Sequence, residues 1–236
     1  MFYTPNIDND RAYLGADEAR HAAQVLRHRV GDAVVFTDGR GNRYRGHFET
    51  LTKREATLYI NATEREVGRR PFRLQLAVAP TKNIARFEWL LEKATEIGIE
   101  RITPILCERS ERKTIRRDRL LRILVPAMKQ SQRTYLPMLD ELTPLAALIE
   151  QPTVGQRFVA HCDAEIVRQP LTQILEPSRD VLILIGPEGD FSFAEIELAM
   201  QHGFRSVSLS DHRLRTETAG MVAVHTVDLL SNYRVV

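Results

Sequence analysis

Only two cysteines occur, Cys107 and Cys162, in apolar or mixed contexts without metal-ligand spacing. A disulfide framework and a cysteine metal site are therefore both excluded, and two reduced, buried thiols are expected. No apolar run approaches the roughly 20 residues that a membrane span needs. No basic-then-apolar leader precedes the first element either, so the expectation is a cytoplasmic protein with no membrane partner. There is no Walker A sequence, and Gly186-x-x-Gly189 is not the dinucleotide fingerprint, which leaves a phosphate-cradling nucleotide site without support. Nothing resembles a nucleophile elbow, and the seven histidines are scattered rather than set at zinc-ligand spacing, so no metal is expected. Hydrophobic content of 43% and charged content of 27% are those of an ordinary soluble chain, and 236 residues hold one large domain or two modest ones.

The formal net charge of +2 hides an asymmetry. From Arg101 to Tyr135 there are ten Lys/Arg and three acids, a net of +7, so the rest of the chain carries −5. A basic segment on a slightly acidic protein points to a polyanionic partner, with a solvated arginine-rich helix face as the alternative.

Residues 1 to about 70 read as a β-rich domain. Runs at Ala33–Thr37, Tyr44–Thr50 and Ala56–Asn61 are separated by turn signals such as Asp38-Gly39-Arg40-Gly41-Asn42. Before them, residues 17–29 look helical and carry His21, Arg27, His28 and Arg29, either an RNA-docking element or merely a solvated helix. Val67 to Pro71, with Gly68 inside it, is the best linker. Beyond it the order is strand (Phe72–Ala79), helix (Ile84–Ile97, closed by Gly98) and strand (Ile102–Leu106), which implies a parallel sheet with a crossover. Leu120, Ile123, Leu124, Ala127 and Met128 form an apolar stripe interrupted by Pro126, where a kink or break is expected. A short helix from Thr143-Pro144, a strand at Phe158–Ala160 and a short helix at Leu171–Leu175 follow. The division is 1–70 and 71–236, the latter an α/β domain.

The stretch from Val181 to Ala219 dominates that domain. Val181 to Ile185 is a continuous apolar run, as for a strand buried on both faces, and Gly186-Pro187-Glu188-Gly189 then forces a tight turn. Ser192 and Glu195 have capping-box spacing, so a helix starts at Phe193, with Phe193, Ile196 and Met200 on one side and Gly203 closing it. A strand at Val207–Leu209 leads to Leu214-Arg215-Thr216-Glu217-Thr218-Ala219, where Thr216 can cap a last helix whose apolar positions include Met221, Val224, Leu229 and Leu230. Two bends at strand ends, one helix apart, lie where α/β sheets hold ligands. A pocket built mostly from backbone turns suits a neutral, flat, adenosine-like cofactor. Each polar residue here can also be no more than a cap or a turn. Arg215 is the least easily dismissed, because a helix N-terminus disfavours a cation.

These two motifs, with His21…Val25-Leu26-Arg27, Gly31-Asp32, Lys93-Ala94-Thr95-Glu96-Ile97-Gly98, Arg109-Ser110 and Gln130-Ser131-x-Arg133 in order, resemble the ribosomal RNA small subunit methyltransferase E family. The resemblance implies the SPOUT class and S-adenosylmethionine-dependent methylation of N3 of a uridine in 16S rRNA of the 30S subunit. It also implies a PUA-like β-barrel, an α/β domain with a deep trefoil knot, and a homodimer whose sites are finished by the partner. The cofactor would then lie among three loops, at His161; at Leu184, Ile185, Gly186, Pro187, Glu188 and Gly189; and at Leu209, Ser210, Leu214, Arg215, Thr216, Thr218 and Ala219. Arg215 is the expected stabiliser of charge in the reaction, with Glu217, another carboxylate or solvent as the base. His21, Arg27, Arg109, Arg112, Arg116 and Arg133 would hold RNA phosphates. Asp190 departs from the family in standing where a third glycine is usual. Ser210-Asp211-His212-Arg213, Lys129 (usually glutamate) and Pro126 depart as well. A knotted ribose 2′-O methyltransferase and a non-catalytic ribosome-assembly factor are the alternative readings.

Overall fold

A computed structural model describes residues 1–152 and 154–232. Two compact units emerge, Met1–Arg69 with Val125–Leu136, and Arg70–Leu124 with Pro137–Val236.

The first unit is a curled sheet of β1 (Phe2–Tyr3), β2 (Ile7–Asp8), β3 (Arg11–Leu14), β4 (Ala33–Thr37), β5 (Arg43–Leu51) and β6 (Ala56–Glu64), in the order β1-β4-β5-β6-β3-β2. All pairs are antiparallel except β1 with β4. Thr4 joins the two ends: its N–H donates to Thr37 O (3.0 Å) and its hydroxyl to Tyr13 O (2.5 Å). Alternate residues Val34, Phe36, Tyr44, Phe48 and Leu58 fill the inside, as period-two patterning requires. The expected helix over 17–29 is shorter. Helix α1 (Ala16–Arg20) runs into a π-helical turn, His21–Val25, and the chain leaves it where Arg27 takes φ +58°. Residues 134–136 complete this unit, with Gly41 N–H donating to Thr134 O and Leu136 N–H to Gly39 O, both at 2.9 Å.

The second unit contains β7 (Leu74–Val78), α2 (Ile84–Ile97), β8 (Arg101–Leu106), β9 (Met138–Leu139), β10 (Thr143–Pro144), α4 (Leu145–Ile149) and β11 (Gln156–Ala160). After them come β12 (Gln169–Pro170), α5 (Leu171–Ile174), β13 (Val181–Ile185), α6 (Phe193–Gln201), β14 (Arg205–Ser208) and α7 (Thr216–Asn232). Helix α3 (Arg117–Gln130) passes through Pro126 without ending, so the proline costs one backbone hydrogen bond rather than the helix.

All pairs in this sheet are parallel, in the order β10-β8-β7-β13-β11-β14-β12, with β9 on β8. Strand β13 is buried along its whole length, because helices cover both faces of a parallel sheet. On one face Leu184, Phe191, Ile196, Ala199 and Leu148 pack together. On the other, α7 approaches α2 so closely that a Cβ on Gly220 would come within 2.8 Å of Leu90 Cδ2.

Helix α6 has the expected capping box, but Ile196 and Ala199 are its buried residues while Phe193 and Met200 are exposed. In α7 the buried face is Gly220, Ala223, Val224 and Val227, and Leu229 faces solvent. The expected Ile196 and Val224 are buried, and beside them lie Ala199, Gly220 and Ala223, small residues that hydrophobicity alone does not single out.

Candidate active site

The strand order reverses direction around β13, the usual place for a ligand crevice at the carboxyl ends of strands. A cavity of about 570 Å³ lies there, lined from β11 by Ala160, His161 and Cys162, from β13 by Ile185 to Glu188, and from β14 by Val207 to Thr216.

The loop after β13 is fastened from several sides. Asp190 N–H donates to Pro187 O (2.9 Å), closing the turn. A Cβ on Gly186 would lie 3.1 Å from the Phe191 backbone nitrogen, which favours glycine at the start of that turn. The Thr216 hydroxyl, at the first residue of α7, donates to Gly186 O (3.1 Å) and so links the second loop to the third. The Glu188 carboxylate accepts from Lys82 N–H (2.9 Å), while Arg213 donates to Glu188 O (3.2 Å). Arg109 donates to Gly189 O (3.1 Å) and Phe191 O (3.2 Å), and Arg112 to Thr81 O (2.9 Å) and Lys82 O (2.6 Å). Arg109, read in the sequence as an RNA contact, thus holds the loop after β13, and Arg112, read likewise, holds the loop after β7.

Asp190 adopts φ +63°, a left-handed conformation that costs a non-glycine residue about 1 kcal/mol. Its carboxylate accepts from Cys162 N–H (2.7 Å) and Phe191 N–H (2.8 Å), and two such bonds, each worth about 1 kcal/mol or more, offset the strain. The side chain therefore connects the first loop to the second.

His161 is 5% exposed, and neither ring nitrogen has a hydrogen-bond partner among the described residues. Each buried, unpaired polar atom costs about 1–3 kcal/mol. Burial pushes the imidazole below its ordinary pKa, Asp190 and Asp163 partly counter this, and Arg168 adds to it, so the ring is neutral at neutral pH. Cys107 is buried, and its thiol is pushed well up by burial. Cys162, expected to be buried, is exposed at the cavity.

Residues 68–228 match the RNA methyltransferase domain family, and residues 14–60 match the RNA methyltransferase PUA domain. A ribosomal RNA small subunit methyltransferase E from Synechocystis is 28% identical over 222 residues, covering 92% of this chain and 72% of its own length. The chain belongs to the family of these RNA methyltransferases. The crystal structure of a probable rRNA-methyltransferase from Porphyromonas gingivalis is 40% identical, with TM-score 0.89 over 97% of this chain and 98% of that one. A ribosomal RNA small subunit methyltransferase E from Neisseria gonorrhoeae, bound to S-adenosyl methionine, has TM-score 0.86 at 25% identity, over 98% and 97%.

In this methyltransferase the cavity brings together His161, Ile185, Gly186, Pro187, Glu188, Leu209, Ser210, Leu214, Arg215, Thr216 and Ala219. Leu184, Gly189 and Thr218 lie beside these residues in sequence without lining it. Arg215 is exposed at the cavity with no ion-pair partner among the described residues. Glu217 does not line the cavity; it is buried, with its carboxylate 3.7 Å from Arg86 Nε.

The sequence reading did not single out Ala160, Cys162, Arg168, Asp190, Val207 and Ser208 as cavity residues, and Asp211, His212 and Arg213 only as part of the loop from Leu209 to Ala219. Asp190 carried a signal, a non-glycine residue at a turn position usually glycine; Arg168 carried none. Of the basic segment, Arg101, Arg117 and Arg119 pair with Asp140, Glu141 and Glu88, and Lys129 pairs with Glu18. Lys113, Arg116 and Arg122 remain exposed without an ion pair among the described residues. His21 and Arg27 are exposed in the first unit, and Arg133 is half-buried. Among the described residues no helix is long and apolar enough to cross a membrane.

Proposed function

We propose that the chain transfers a methyl group from S-adenosylmethionine to N3 of a uridine in 16S rRNA of the 30S subunit. The observation that carries this reading is a cavity at the ends of β11, β13 and β14, in a chain of the RNA methyltransferase family. Its size, about 570 Å³, falls in the range for ligands of this class, and its turns and apolar strand ends suit a flat adenosine. His161, Ile185 to Glu188, Leu209, Ser210, Leu214, Thr216 and Ala219 would hold it, with Leu184, Gly189 and Thr218 supporting them. When bound, S-adenosylmethionine supplies an electrophilic methyl group.

Uracil N3 must lose a proton before or during attack, which spreads negative charge onto the flanking carbonyl oxygens. Arg215, an unpaired guanidinium at the cavity, stabilises that charge in a preorganised way. The pairing of Glu217 with Arg86 favours a positioning role for that carboxylate and leaves the proton to solvent or another carboxylate. Lys113, Arg116 and Arg122, with His21 and Arg27, offer charge for RNA phosphates. The family resemblance supports a PUA-like barrel, a trefoil knot in the C-terminal segment and a homodimer that completes each site. A cytoplasmic setting follows from a ribosomal substrate.

The test is methyl transfer to 30S particles and to naked 16S rRNA, followed by mass spectrometry of the nucleosides. 3-Methyluridine is expected; 2′-O-methyluridine would replace this reading with ribose methylation, and absence of both transfer and cofactor binding would favour an assembly factor. Arg215→Ala should lower transfer by about 100-fold or more while cofactor affinity stays within a few-fold. Comparable turnover in that variant removes Arg215 from the chemistry.

A further inference from the structure

We propose, resting on the RNA methyltransferase reading above, that Val25, Leu26 and Val30 form an apolar contact for the faces of unpaired bases, flanked by Arg27 and Arg29 for the phosphates. The strand that docks on the first unit is then a loop or single-stranded stretch of the RNA rather than a continuous duplex.

The segment is anchored at both ends and displayed between them. Ala19 and Ala22 are fully buried at its start. At its end the His28 ring lies 5.9 Å from that of Phe2 and 5.2 Å from that of Phe48, and Gly31 N–H donates to Phe48 O (2.8 Å). The π-helical turn closes with Leu26 N–H on His21 O and His28 N–H on Ala22 O, both at 3.0 Å. Such turns are rare and frequent at functional sites. Arg27 then takes φ +58°, a conformation that residues with side chains seldom adopt. This backbone leaves Val25 65%, Leu26 50% and Val30 61% exposed. They are three of the first unit's five large exposed apolar side chains, and all fall within six residues. Apolar groups gathered and held in water in this way mark a contact surface.

Charge selects the partner. Residues 20–30 contain three arginines and no acid. The neighbouring acids are engaged, Asp17 with Arg20, Glu18 with Lys129, and Asp32 with Arg29 N–H and the His28 ring. The Arg27 and Arg29 side chains are exposed, with no ion pair among the described residues. A duplex stacks its bases away and offers phosphates and hydroxyls, whereas an unpaired strand offers base faces as well. The match of residues 14–60 to an RNA methyltransferase PUA domain favours RNA over an anionic membrane, the other surface that a basic and apolar segment suits.

Fluorescence anisotropy of the full chain with a short labelled single-stranded RNA, and with the same strand in a duplex, tests this. Val25→Ser with Leu26→Ser should keep the melting temperature, weaken the single strand about tenfold, and leave duplex affinity and salt dependence in place. Leu26→Trp, which adds a stacking ring, should tighten the single strand instead. Arg27→Gly, which suits the left-handed turn, should flatten the salt dependence by nearly one unit of slope on both probes. With 30S particles the double serine variant should raise KM several-fold at constant kcat.

Equal losses on the two probes, or no loss on either, would overturn the proposal. A loss confined to binding of anionic phospholipid vesicles would also overturn it and make the segment a membrane contact. Formation of 3-methyluridine by the double serine variant with an unchanged KM would overturn it while leaving the proposed function standing. Preference for the single strand, lost in that variant, in a chain that transfers no methyl group would uphold it and overturn the proposed function.

Discussion

Arginines in the two units behave differently. In the first unit Arg11 and Arg45 face water: Arg11 pairs with Glu49 and Arg45 with Glu64, all four side chains being at least one-third exposed. In the second several build, while Arg116 and Arg122 stay exposed. Arg70, with a side chain only 8% exposed, donates to both oxygens of Glu100, to Asp228 and to Gly98 O. Arg109 and Arg112 likewise end on backbone carbonyls, Arg109 in the loop after β13 and Arg112 in the loop after β7. Clusters of positive charge in a sequence therefore mix two kinds of residue, those that hold the chain and those left for a partner.

The largest test of this contrast is Arg70→Ala. Glu100 and Asp228 would lose their shared counter-charge, and unfolding in urea should show a loss of about 3–5 kcal/mol. A loss below about 1 kcal/mol would erase the distinction between the units. Next, Arg116→Ala with Arg122→Ala should lower RNA affinity and flatten its salt dependence, by about one unit of slope for each phosphate contact removed. Arg109→Ala should leave that slope unchanged and weaken cofactor binding instead. If Arg109 alters the slope as much as Arg116 does, it is an RNA contact after all.

A smaller effect is expected from pH. The folded state holds His161 below its ordinary pKa, so the unfolded chain takes up this proton first. The contribution is fully present above the unfolded value of about 6.5 and is lost as pH falls through the folded one. Urea midpoints should thus fall on acidification less in His161→Ala than in the unaltered chain. The smallest effect is Arg11→Ala, whose urea midpoint should stay close to that of the unaltered chain, since its ion pair is exposed and screened.

Features set by local chemistry were legible in the sequence. Val181–Ile185 shows its two-sided burial as an unbroken apolar run, and Ser192 with Glu195 announces a helix start. Both bends of the cavity could be found because glycine and threonine mark them. What could not be read depends on residues distant in sequence. Arg109 looks like any exposed cation until Gly189 is folded against it, and Arg168 means nothing without the His161 carbonyl. Small residues mislead as well, since Gly220 and Ala223 carry the close packing of α7 that Leu229 was expected to supply.

Residues 125–136 belong to the first unit although more than fifty residues of the second precede them. On the ribosome, then, the amino-terminal module cannot finish closing when its six strands have emerged. Gly39 and Gly41 must wait for Leu136 and Thr134. The order of synthesis and the order of completion are interleaved, and a cut near residue 70 would leave that module short of its last piece.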